Sequence, residues 1–204
     1  MQIALLPFLA ISILLIVIPG PDTAVVTKNA LLGGRRGGML SAVGVSTGLT
    51  IWTLAAALGI AALLRASAVA FLALKLAGAV YLILIGVQLL RARDQVIFST
   101  GRSSASGAKA LRQGLLSDLG NPKIAVFFTS LLPQFVDADH AQPQDLLLLG
   151  LLFNCLGVVW LLIYADLAAR GRNLLRRPRV KRALDRVTGV ALVGLGVRLA
   201  FERR

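Results

Sequence analysis

Apolar runs of bilayer length recur along this 204-residue chain, and they decide which folds are open to it. A bilayer core takes about 20 consecutive apolar residues of helix, and several runs here reach that length. The runs are continuous and do not alternate, which argues against a transmembrane barrel. Apolar residues make up 57% of the chain, above the roughly 45–50% of a soluble domain. The expectation is a polytopic all-α membrane protein.

One run is interrupted in its middle. Ile18-Pro19-Gly20-Pro21-Asp22 sits inside an apolar stretch that begins near Ile3 and resumes at Thr23. A proline inside a helix removes an N–H and clashes with the preceding turn, at about 3 kcal/mol. In lipid the freed carbonyls need partners within the protein or in a water-filled cavity. Asp22 adds a charge of the kind that is rare in a membrane and functional there.

The net charge of +13 is clustered rather than spread. Arg91, Arg93, Arg102, Lys109 and Arg112 lie between two apolar segments, and Arg170 to Arg186 holds eight more basic residues between two others. Basic clusters in alternate loops are the positive-inside pattern, not a nucleic-acid patch. Cys155 is the lone cysteine, which excludes an intramolecular disulfide and a dithiol redox pair. His140 is the lone histidine and leaves no metal cluster. Met1-Gln2-Ile3 has no basic n-region, so the first segment is expected to stay in the mature protein.

Six segments are expected: about Ile3–Leu32, Leu40–Leu64, Val69–Leu90, Gly114–Leu132, Leu146–Ala169 and Val187–Phe201. Gly33 to Gly38 reads as a loop. Gly44 and Gly48 form a G-x-x-x-G face for close helix approach, and such faces permit a homodimer. Lys75 is expected to snorkel to the interface, and Gly78, Gly86 and Gln88 to mark a packed face. The fourth segment, like the first, is broken inside, at Gly120-Asn121-Pro122-Lys123. Asn121 suits an N-cap and Pro122 a first helical position, so a half-helix starts there. With both termini outside, the basic loops face the cytoplasm. A five-span arrangement with one re-entrant segment would instead bring Arg203 and Arg204 inside.

The halves resemble each other. GAVYLILIGVQLLRAR (Gly78 to Arg93) and TGVALVGLGVRLAFER (Thr188 to Arg203) match at one constant shift, pairing Gly86 with Gly196 and Arg93 with Arg203. Pro19 and Pro122 break the first segment of each half. Two tandem three-span halves must lie in opposite orientations. The expected architecture is therefore six transmembrane helices as two inverted three-helix repeats, the first helix of each broken. Residues 1–95 form one repeat, 96–112 a cytoplasmic linker and 113–204 the other. Paired broken helices in such repeats point to a transporter binding site.

Half-helix N-termini carry partial positive charge and free N–H groups. The set Pro19, Gly20, Pro21, Asp22, Thr23, Asn121, Pro122 and Lys123 offers N–H groups and an ammonium for a carboxylate, and Asp22 for an α-ammonium or a proton. Asp118 is a further proton or ammonium partner and Asp166 a further proton partner, or both are solvated residues near helix ends. Asp22 and Lys123 pairing with each other is an alternative. Trp160 and Tyr164 read as packing or interfacial anchors. A transmembrane redox carrier lacks its thiol pair, and a Ser–His protease would need His140, far in sequence from Ser46 or Ser130. A structural or assembly protein, with breaks that serve packing alone, stays open.

Pro19-Gly20-Pro21-Asp22, the run from Lys75 through Gly86, and Asn121-Pro122-Lys123 with Phe127-Phe128 and Leu132-Pro133-Gln134-Phe135 resemble the LysE/RhtB family of bacterial amino-acid exporters. Order and spacing agree across nearly the whole chain. The resemblance implies a non-enzymatic carrier in the bacterial inner membrane. It would export amino acids or related small metabolites, coupled to proton entry and without a cofactor.

Overall fold

The computed structural model describes residues 4–60, 68–91, 106–136, 142–171 and 178–201. Every regular element among them is helical. α1 is Leu5–Val17 and α2 is Pro21–Ala55, continued by a π-helical turn at Ala56–Ile60. α3 is Ala68–Arg91, α4 Gly107–Leu119 and α5 Pro122–Val126, which runs on through a π turn (Phe127–Leu131) and a 3-10 turn (Leu132–Phe135). α6 is Pro143–Arg170 and α7 is Pro178–Phe201. α2, α5, α6 and α7 all open on a proline, where the missing N–H is one that no helix would bond.

The expected loop at 33–38 shrinks to one residue. Gly34 has φ 65°, ψ −162°, and helix resumes at once on its far side. Across it Asn29 Nδ2 donates to Ser41 Oγ at 3.1 Å. Twelve residues of straight helix would hold these groups about 18 Å apart, so the chain reverses at Gly34. Residues 21–33 and 35–55 are two arms of a helical hairpin. Gly37 and Gly38 are not loop residues but contact points, pressed on the Asn29 carbonyl and on Ala30 and Ala165.

Other boundaries move as well. α4 begins at Gly107, inside the expected linker, with Ser106 as its N-cap accepting from the Lys109 N–H. α7 begins at Pro178, well before Val187. Lys75 is buried rather than snorkelling outward, and Gln88 is exposed while Gly78 and Gly86 are buried. Arg65, the serine-rich stretch from Ser99 to Ser104, His140, Asp137, Asp139 and Arg203 lie outside the described residues.

Glycines set the helix contacts. The second arm of α2 packs on α4 and α6, and α3 packs on α7. A Cβ on Gly44 would overlap the Leu111 carbonyl, and one on Gly114 the Ser41 carbonyl, so the α2 and α4 backbones touch reciprocally. Gly44 and Gly48 are therefore taken up inside the chain. Between α3 and α7, Gly86 faces the Gly189 carbonyl and Val193, while Gly196 faces the Ala79 carbonyl and Ile83. The N-terminal end is fastened by Ala4 N–H to the Phe135 carbonyl at 3.1 Å, with Phe8 edge-on to the Phe135 ring.

Beside an apolar core, charged and amide side chains are buried, and large apolar ones lie on the surface. Asp22, Asn29, Lys75, Asp118, Asn121, Lys123 and Asn154 are buried. Leu148, Leu151, Val159, Ile163 and Leu167 form an exposed stripe along α6, and Leu6, Leu58, Val69 and Phe201 are more exposed still. An apolar outer surface of this extent marks a contact with lipid or protein. By length and composition, Pro143–Arg170 and, within Pro21–Gly59, the arm after Gly34 are apolar helix long enough to cross a membrane. Thr47, Thr50 and Thr53 bond to carbonyls one turn back in their own helix. Ser46 reaches across to Asn154 at 2.8 Å.

Close backbone contact at Gly114 predicts that Gly114→Ala destabilises by about 1–3 kcal/mol, the usual cost of overpacking. Gly194→Ala, where a Cβ meets nothing within 4 Å, is neutral or stabilising. Thermal unfolding of the purified variants in detergent measures both. Equal midpoints would remove the close approach.

Candidate functional site

The site lies where the chain twice leaves helix. α1 ends at Val17, Ile18 and Gly20 are extended, and Pro21 restarts helix as α2. α4 ends at Leu119 and Gly120 caps it. Asn121 is extended, and Pro122 restarts helix as α5.

Asn121 serves both breaks. Its Oδ1 accepts from the Lys123 N–H at 3.1 Å and caps α5. Its Nδ2 donates to Asp22 Oδ2 in the first turn of α2. Ser117 Oγ donates to the other oxygen, Asp22 Oδ1, at 2.8 Å. A carboxylate in a first turn also faces the favourable end of the helix dipole. Lys123 returns the connection. Its Nζ donates to the Leu15 and Ile18 carbonyls, each at 2.9 Å, and so supplies a cation at the end of α1. Asp22 and Lys123 do not form an ion pair with each other. Ion pairs among the described residues join Asp166 to Arg35 and to Arg170. Each of the two charges is bonded instead to the other broken segment.

Gly20 sits against this junction, with room for a Cβ only 3.3 Å from Lys123 Nζ. Pro19 and Gly20 are half-buried, Pro21 is exposed, Thr23 is buried and Pro122 is half-buried. Beside them lies a cavity of about 30 Å³. Asp22, Thr23, Asp118 and Lys123 line it, with Phe153 and Trp160 from α6. Leu15, Val45, Leu49 and Leu161 complete an apolar wall.

Asp118 is fully buried, and neither carboxyl oxygen has a hydrogen-bond partner. The indole Nε1 of Trp160 is buried and unpartnered as well. Asp166 stands apart. It bonds Arg35 Nε at 3.1 Å and Arg170 Nη2 at 2.9 Å at a partly exposed end of α6. Tyr164 accepts from Thr27 Oγ1 at 3.1 Å and ties the first arm of α2 to α6. No group of three or more His, Cys, Asp or Glu fit for a metal occurs among the described residues.

Of the residues expected from the sequence, the structure brings Asp22, Thr23, Asn121, Lys123 and Asp118 to one place and leaves Asp166 out. The sequence reading expected Asp166 there. It missed Ser117 and Trp160. Ser117 carries a usable signal, because a serine in the last turn before the Gly-Asn-Pro break lies next to the second helix start. Trp160 carries none, since an aromatic in an apolar helix looks the same whether it packs or lines a cavity.

The chain has relatives among known proteins. The chain is 32% identical to a homoserine/homoserine lactone efflux protein of Salmonella typhimurium, over 96% of this chain and 95% of that one. It is 30% identical to the uncharacterized membrane protein YrhP of Bacillus subtilis, over 98% and 99% of the two chains. An uncharacterized membrane protein of Vibrio cholerae is 31% identical over 97% of each. No solved structure matches the chain. The sequence profile of the LysE type translocator family matches residues 13–203, and the chain belongs to that family of membrane translocators.

Proposed function

We propose that this translocator is a secondary active exporter of amino acids or closely related small metabolites, driven by proton entry. It works by alternating access around its two helix breaks. The observation that carries the reading is the bond from Asn121 to Asp22, which locks one half-helix start onto the other beside a polar cavity. Helix breaks that serve packing alone have no need of a buried acid, a buried base and an unpartnered second acid. A cavity of about 30 Å³ has room for about one water, so this is a closed state in which Asp22 and Lys123 clamp the breaks together. Opening toward either side would expose the carboxylates at the cavity to an ammonium group or a proton, and the N–H groups of the first turns to a carboxylate. A similar relative is named for efflux of homoserine and its lactone, which fits small amino-acid-like cargo.

The inverted repeat belongs to this reading. Gly86 meets Gly189 and Val193, while Gly196 meets Ala79 and Ile83. The shift that pairs Gly86 with Gly196 exchanges these two contact sets, the pattern of an approximate two-fold axis. Six spans with the basic loops in the cytoplasm and the termini outside complete the arrangement. Asp118 and Asp22 are the proton-carrying candidates.

In proteoliposomes with an imposed pH gradient, the protein is expected to move a member of a panel of common amino acids. Asp22→Asn should lower the rate by about tenfold or more, given that hydrogen bonds to a charged group are worth about 1.5–3 kcal/mol. Undiminished transport in that variant would remove the breaks from the mechanism. Asn121 separates folding from function. Asn121→Ser retains a good N-cap, while Asn121→Ala loses about 1 kcal/mol more in detergent unfolding. Both lose the reach to Asp22, so both should slow transport. A serine variant with full activity would mean that the bridge is not needed.

A further inference from the structure

Not every polar group at the cavity is available to a ligand. Asp22 has both oxygens engaged, by Ser117 and Asn121. Lys123 donates to two main-chain carbonyls. Asp118 and Trp160 differ. They line the same cavity from α4 and α6, and each carries buried polar atoms with no partner at all. A buried carboxyl without a partner calls for a counter-charge, a proton or a bound polar group. A buried indole N–H calls for an acceptor.

The surroundings of Asp118 have been cleared for it. Gly48, on the second arm of α2, lies against the carboxyl group, and a Cβ there would overlap Asp118 Oδ2. No protein cation bonds these oxygens, and Lys123, which lines the same cavity, donates to the Leu15 and Ile18 carbonyls instead. Apart from the Thr23 hydroxyl, the rest of the wall is apolar, with Leu15, Val45, Leu49, Phe153 and Leu161. A small molecule in an enlarged cavity would meet one unpartnered acid, one unpartnered indole donor, a threonine hydroxyl and an apolar rim.

We propose that Asp118 and Trp160 are the specificity-determining pair of this transporter, with Asp118 taking the cationic amine of the cargo and Trp160 Nε1 donating to an oxygen of its carbonyl or carboxyl group. The proposal rests on the exporter reading and narrows it. Asp22 and Lys123 hold the breaks, and Asp118 and Trp160 read the cargo. The substrate class is a small primary amine with an oxygen acceptor a few bonds away and an aliphatic remainder. An N-acylated analogue, which has no cation, is excluded.

The test uses the full chain in proteoliposomes. Uptake of the best amino acid in the panel is measured for wild type, Trp160→Phe and Asp118→Asn, with the N-acetylated form of the same amino acid as competitor. Trp160→Phe retains the ring and removes only the donor. It should raise KM about tenfold with a much smaller change in maximal rate, the size expected for one hydrogen bond. Asp118→Asn should raise KM by more, about a hundredfold. The N-acetylated compound should not compete in wild type. Wild-type KM in Trp160→Phe, or effective competition by the N-acetylated compound, overturns the pair. If Asp118→Asn fails to fold, those two results still decide. A wild-type protein that transports nothing in the panel sinks the exporter reading instead, so the two failures are distinguishable.

Discussion

Asn121 meets two obligations with one amide. Its oxygen closes the start of α5, and its nitrogen holds the carboxylate that opens α2. Two interrupted helices, far apart in the chain, thereby share one junction. Lys123 repeats the logic in the other direction by neutralising the end of α1. Without these cross-bonds each break would leave carbonyls and N–H groups unpaired among apolar side chains, at several kcal/mol per group in lipid. The interruptions are tolerable because each supplies what the other lacks.

Around that junction the helices are packed by what is missing rather than by what is present. Glycine at positions 44 and 114 brings the α2 and α4 backbones into contact, and Gly48 makes room for the Asp118 carboxyl. Such contact is a recognised means of association where lipid removes the hydrophobic drive between helices. The aromatic cluster on the far side fills the space that remains. Phe127 stacks on Phe153 with centroids 4.1 Å apart, and Phe128 lies edge-on to both. Through Phe153 this cluster forms part of the apolar wall of the cavity.

The sequence was informative wherever a residue violated its surroundings. Proline and aspartate in an apolar run, and Asn-Pro in another, located both breaks and the residues that meet there. Helix extents in apolar stretches were legible for the same reason, since lipid leaves the backbone few other solutions. Ends that lie in polar sequence were not. Gly107 and Pro178 start helices in stretches whose basic and small residues read as linker. The turn at Gly34 was hidden among four glycines, because composition does not say which one takes the positive φ. Asp166 and Trp160 exchanged roles for a related reason. A charge near an apolar run looks significant and an indole does not, yet only the contacts of α6 decide which of them reaches the cavity.

The hairpin at Gly34 also constrains how the chain can change in length. Its arms leave the junction at Asp22 and come back to it at Gly48, and their register is locked by Asn29 to Ser41 and by Gly37 on the Asn29 carbonyl. Inserting one residue into the second arm between Ser41 and Gly48 would turn every later position by about 100° about the helix axis. Gly48 would leave the Asp118 carboxyl, and a side chain would take its place. Deletions there act in the opposite sense with the same result. The stretch behaves as a gauge of set length, in which residues can be exchanged but not added or removed.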